Sequence, residues 1–143
     1  WLDAIAAVRA RAPGGTPVFI GGKSMGGRMA THVAAHHADR AGAIAGLVLL
    51  GYPLHPPGKP DQRRDAHLPR IGVPALFVQG TRDAFGGPDE LGPAVAPLGA
   101  LATVHAVEGG DHSFAVPRAS GRRTRDVLAS VWDVVAAWVR RAP

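Results

Sequence analysis

Gly22-Lys23-Ser24-Met25-Gly26 holds a serine between two glycines at GxSxG spacing. A short apolar, β-branched run at 18–22 ends there, and residues 25–38 follow with Met29, Ala30, Val33, Ala34 and His37 on one helical face. That context predicts a sharp strand-to-helix turn that lifts the Ser24 hydroxyl above a sheet edge. Glycines at 22 and 26 are expected to relieve crowding on either side of the serine. The Met25 N–H, in the first helical turn, is expected to face a developing oxyanion. A hydroxyl is a weak nucleophile at neutral pH and needs a base, which needs an orienting carboxylate. Asp83, in Gly80-Thr81-Arg82-Asp83, follows the apolar run 75–79; His112, in Gly109-Gly110-Asp111-His112, follows 102–107. All three residues therefore leave the C-terminal ends of predicted strands. In an open parallel sheet those ends share one edge, so Ser24, Asp83 and His112 are expected to converge for acyl transfer. Asp111 and Glu108 are alternative acids, although Asp111 adjoins His112 and an extended neighbour points away from it.

The other histidines divide by position. His32, His36 and His37 fall on the helix after the serine, and His105 falls within a strand. His55 and His67 lie in a long connection over the same sheet edge and, with Arg82, are candidate substrate-lining residues. Lys59, Arg63, Arg64 and Arg82 hint at a carboxylate-bearing substrate. No metal-ligand spacing such as HExxH occurs, and neither metal nor cofactor is expected. Gly22-Lys23-Ser24 also matches the end of a phosphate-binding GxxxxGK[ST] loop. The glycine needed at its start falls on Pro17, and Val18, Phe19 and Ile20 are strand-like, so nucleotide binding there is disfavoured.

The elements that must position these residues are legible in outline. Residues 2–12 read as a helix ended by Pro13-Gly14-Gly15, and 44–50 as a strand covered on both faces. Residues 51–70, rich in proline, read as a connection with one helical turn near 61–65. Pro88-Asp89-Glu90 opens a helix that Pro93 and Pro97 must shorten or break. Residues 122–141 carry Val127, Val131, Val135 and Trp138 at helical spacing. The alternation implies an α/β fold, a parallel sheet of about four strands with helices on both faces.

Composition bounds the rest. A chain of 143 residues is near the size of one domain, and 46% hydrophobic against 19% charged residues suits a packed core. The absence of cysteine removes disulfides and thiol nucleophiles. The formal charge of +5 comes from dispersed arginines without interleaved aromatics, which disfavours nucleic acid as a partner. With no membrane span or export signal in the sequence, a cytoplasmic protein is the expectation.

Four stretches carry a resemblance: Gly21 through Arg28, Gly51-Tyr52-Pro53-Leu54-His55-Pro56-Pro57-Gly58-Lys59, Phe77-Val78-Gln79-Gly80-Thr81-Arg82-Asp83, and Gly110-Asp111-His112-Ser113-Phe114. Together they resemble the C-terminal portion of an α/β-hydrolase. The similarity is to a family whose animal members include a regulatory subunit of the non-specific-lethal histone acetyltransferase complex. More distantly the chain is similar to dienelactone hydrolases, with Ser where that family uses Cys. The resemblance implies a Ser24-Asp83-His112 triad and an ester or thioester substrate; a protein partner is the implication of the kinship with a complex subunit. It also implies earlier strands and a loop bearing a second oxyanion donor, neither of which this sequence contains. Impaired activity and an exposed apolar edge at 18–20, prone to self-association, are therefore expected.

Overall fold

The computed structural model describes residues 1–41 and 44–141. In chain order the elements are α1 (Leu2–Arg11), β1 (Phe19–Lys23), α2 (Met25–His36), α3 (Ala38–Ala41), β2 (Gly46–Leu50), β3 (Ala75–Gly80), α4 (Pro88–Val95), β4 (Ala102–Val107) and α5 (Thr124–Arg141). Short 3₁₀ turns occupy Leu68–Arg70, Ala96–Leu101 and Arg118–Ser120. The strands form one parallel sheet in the order β1-β2-β3-β4. This is the expected α/β class.

Side chains alternate across a strand, so an uninterrupted apolar run feeds two cores at once. Leu47, Leu49, Ala75 and Phe77 pack on one face against Ala30, Val33 and Ala34 of α2 and Leu91 and Val95 of α4. Leu76 and Val78 point the other way, into a cluster with Val107 and with Val127, Val131 and Trp138 of α5. Every residue of β3 is buried, which makes it the strand around which both cores are built. On α5 the opposite face carries the exposed Trp132. Among the described residues no helix is long and apolar enough to cross a membrane.

Three details differ from the sequence reading. The helical turn expected near 61–65 lies instead at Leu68–Arg70. Residues 62–65 cannot coil because they are pinned against the start of the same connection: Arg64 N–H donates to Leu54 O (2.8 Å), and the Tyr52 hydroxyl donates to Arg64 O (2.6 Å). His37, placed on the apolar face of the second helix, is its exposed C-cap, because the helix ends at His36, two residues earlier than expected, and α3 begins at Ala38. The apolar residues at 18–20 are not an open patch. Val18 and Ile20 are buried in the cluster that includes Ile5 of α1, and Phe19 meets Trp138 edge to face at 6.0 Å. A strand edge presents backbone groups, whereas its side chains turn to the two faces of the sheet. What remains between α1 and β1 is an apolar groove of about 260 Å³.

Candidate active site

The passage from β1 to α2 is made by Ser24 at φ 54°, ψ −122°, a conformation non-glycine residues rarely adopt. It is held from both sides: Ser24 N–H donates to Leu50 O at the end of β2, and Ser24 O accepts from Arg28 N–H in the first turn of α2. Gly22 has φ 152°, and a Cβ there would press on the Gly26 and Gly27 backbone at 3.3 Å. The second close approach belongs to Gly27, not to Gly26 as expected. A Cβ on Gly27 would sit 2.6 Å from Gly22 O, while one on Gly26 would meet nothing within 4 Å. The strand end faces the helix one residue later than the GxSxG spacing suggests. Met25 opens α2 and is exposed. Its N–H belongs to the first helical turn, where backbone donors lack an intrahelical acceptor.

Asp83 and His112 leave β3 and β4, and their loops are laced together. Thr81 N–H donates to Val107 O, Arg82 N–H to Gly110 O, and Gly109 N–H to the Thr81 hydroxyl. Gly80 and Gly110 allow the approach, since a Cβ on Gly80 would collide with Gly110 O. Gly51, at φ 61° just past β2, lets the His112 ring lie over that strand end. The three side chains selected from sequence meet. His112 Nε2 lies 2.9 Å from Ser24 Oγ, and His112 Nδ1 lies 2.8 Å from Asp83 Oδ2. A carboxylate only accepts, so Nδ1 carries the proton and Nε2 presents its lone pair to the serine hydroxyl. Phe85 covers the imidazole with ring centroids 4.2 Å apart. The Asp83 side chain is wholly buried, and its Oδ1 also accepts from Phe85 N–H at 2.8 Å.

Gln79, not singled out from sequence, organises the acid. It is fully buried at the end of β3; its Nε2 donates to Asp83 Oδ2 (2.9 Å), Gly86 O (2.7 Å) and Tyr52 O (3.2 Å). Its Oε1 accepts from Tyr52 N–H at 2.8 Å. The available signal was a polar residue closing an otherwise apolar strand, which must find partners when buried. Asp111, weighed as an alternative acid, turns into its own loop and accepts from Ser113 and Ala115 N–H.

The candidate lining residues separate. His55 is buried, with Nδ1 2.9 Å from Pro56 O and Nε2 3.1 Å from Glu90 Oε2. Arg82 borders a cavity shared with Asp83, Glu90 and Glu108. His67 stands elsewhere, stacked on His32 at 3.7 Å beside α2, with its Nε2 2.8 Å from the Thr31 hydroxyl. Arg63 and Arg64 border a separate cavity there, together with His67, and are not grouped with Arg82. Burial, together with His32, His36 and Arg28, lowers His67 to a pKa of about 4. Among the described residues no group of three or more His, Asp or Glu is arranged to hold a metal ion.

A family described as alpha/beta hydrolase domain matches residues 1–140. Among solved structures, a putative dienelactone hydrolase from Klebsiella pneumoniae is 22% identical with a TM-score of 0.70; the match covers 98% of this chain and 59% of that one. An esterase domain from Rhodothermus marinus is 17% identical with a TM-score of 0.66, covering 98% and 68%. A puromycin-hydrolyzing peptidase from Mycobacterium tuberculosis is 22% identical with a TM-score of 0.61, covering 90% and 23%. The chain thus spans less than two thirds of two of these three proteins.

Proposed function

The chain belongs to the alpha/beta hydrolase domain family, and on that premise we propose that it is a serine hydrolase of carboxylic esters or thioesters. The observation that carries this reading is the continuous set of hydrogen bonds from Asp83 through His112 to Ser24. Ser24 Oγ attacks the substrate carbonyl carbon while its proton passes to His112 Nε2. The carbonyl oxygen takes the negative charge and is met by the Met25 N–H. Collapse of the tetrahedral intermediate breaks the bond to the alcohol or thiol, which leaves with the proton from His112. Water, activated by the same imidazole, then releases the acid and restores Ser24. Asp83 holds the imidazole tautomer and stabilises the imidazolium; Gln79 and the Phe85 N–H hold Asp83. The likeness to an esterase domain and to a dienelactone hydrolase supports the ester reading, and the likeness to a puromycin-hydrolyzing peptidase makes an amide the alternative substrate.

The stretches Gly51 through Lys59 and Phe77 through Asp83 favour a second reading, a protein-interaction module without turnover, through their resemblance to the complex-subunit family. A fluorophosphonate probe separates the two. Under the hydrolase reading it labels Ser24 of the folded chain and the label is lost in Ser24→Ala; an unlabelled folded chain overturns that reading and favours the module.

A further inference from the structure

A second cavity, of about 350 Å³, opens between α2 and the connection 51–70. Its wall is cationic. Arg28 comes from α2, and Arg63, Arg64 and Arg70 come from the connection. The one carboxylate that pairs there among the described residues is Asp65, and its Oδ2 is taken by Arg63 at 2.6 Å. Among the described residues, the Arg28, Arg64 and Arg70 guanidinium groups have no carboxylate partner. Arg70 lies against the His36 Nδ1, at 3.4 Å. Arg28 Nε is buried and lacks a hydrogen bond, which is costly for an ionised group unless a countercharge lies against it.

The remaining wall is a stack of imidazoles. His32 lies against His67 at 3.7 Å with 11° between rings, and His36 continues the stack at 5.8 Å from His32. Thr31 anchors this arrangement: its hydroxyl hydrogen goes to Arg28 O (2.6 Å), so His67 Nε2 is the donor toward the Thr31 oxygen. The stacked rings and the Tyr52 bond to Arg64 O keep the guanidinium-bearing backbone in place without a ligand.

We infer that this cavity binds a small phosphate-bearing anion of the pyrophosphate class. Planar guanidinium forks match phosphate oxygens in pairs, and an excess of three positive charges selects a multivalent anion over a single carboxylate. The volume falls at the lower end of the ~300–1,000 Å³ range of small-molecule pockets, larger than one orthophosphate requires. The site does not depend on the hydrolase reading. It would exist on the same fold if Ser24 were inert.

The test is calorimetric titration of the full chain with inorganic pyrophosphate at low salt, with citrate and orthophosphate as parallel arms. The inference expects saturable 1:1 binding of pyrophosphate that is weakened about tenfold or more by Arg64→Gln combined with Arg70→Gln. Arg82→Gln, in the other cavity, is expected to leave it unchanged. Circular dichroism checks that the variants fold; Arg28→Lys, which keeps the charge and removes the fork, serves if the double variant does not. Absence of saturable binding, equal affinity in the arginine variants, or tighter binding of citrate than of pyrophosphate would overturn the inference.

Discussion

Ser24 stores backbone strain where the chemistry is proposed to occur. Its φ of 54° is a conformation that costs a non-glycine residue about 1–3 kcal/mol. Ser24→Gly is therefore expected to raise unfolding stability by up to about 1 kcal/mol in denaturant titration while abolishing turnover, the usual opposition between a strained site and a stable one. A less stable glycine variant would argue against the strain. Gln79 gives the converse prediction. Gln79→Leu leaves the Tyr52 N–H, the Gly86 carbonyl and one face of the buried Asp83 carboxylate unsatisfied. It is expected to cost about 2–4 kcal/mol and to lower kcat more than it raises KM for an aryl ester. Equal stability and kcat in the variant would remove Gln79 from the account. The one signal in the sequence, a polar residue closing an apolar strand, does not give this role by itself, because a single glutamine there resembles any solvent-facing terminus until its burial is known.

At the scale of elements, GxSxG located the turn but misassigned one of its glycines. The pattern is written around the serine, whereas the close approach is set by where the helix axis passes the strand end, and that falls on Gly27. Gly27→Ala, with its Cβ 2.6 Å from Gly22 O, is expected to destabilise by about 1–3 kcal/mol. Gly26→Ala, with open space around it, is expected to be neutral or stabilising by up to about 1 kcal/mol. Thermal melts of the two variants check the order, and the reverse order would refute the reading of the turn. The strands were legible because residues buried on both faces leave an uninterrupted apolar run, as at β2 and β3. The connection 51–70 was not, because side chain–backbone bonds such as Tyr52 to Arg64 shape it, and these leave no periodicity to read.

For the molecule as a whole, two properties can be checked. The first is acid sensitivity. His67 has a native pKa of about 4 against an ordinary 6.5, and burial lowers His32 as well. The unfolded chain therefore binds protons that the native chain refuses. Stability is fully present above the unfolded value and is lost as pH falls from about 6.5 through about 4. His67→Gln is expected to flatten that acid limb of the melting temperature against pH; an unchanged slope would assign it to other groups. The second is the convergence of three strand ends on one rim. Ser24, Asp83 and His112 were legible because sheet topology, not local sequence, brings such residues together. The measurement that tests this most directly is peptide mapping of the acyl adduct formed with a 4-nitrophenyl ester. The account predicts an acyl mass on the Ser24 peptide, absent in Ser24→Ala, with formation slowed about 10³- to 10⁴-fold in His112→Gln and Asp83→Asn. An adduct on another residue, or one that forms on Ser24 at the same rate without His112, would contradict it.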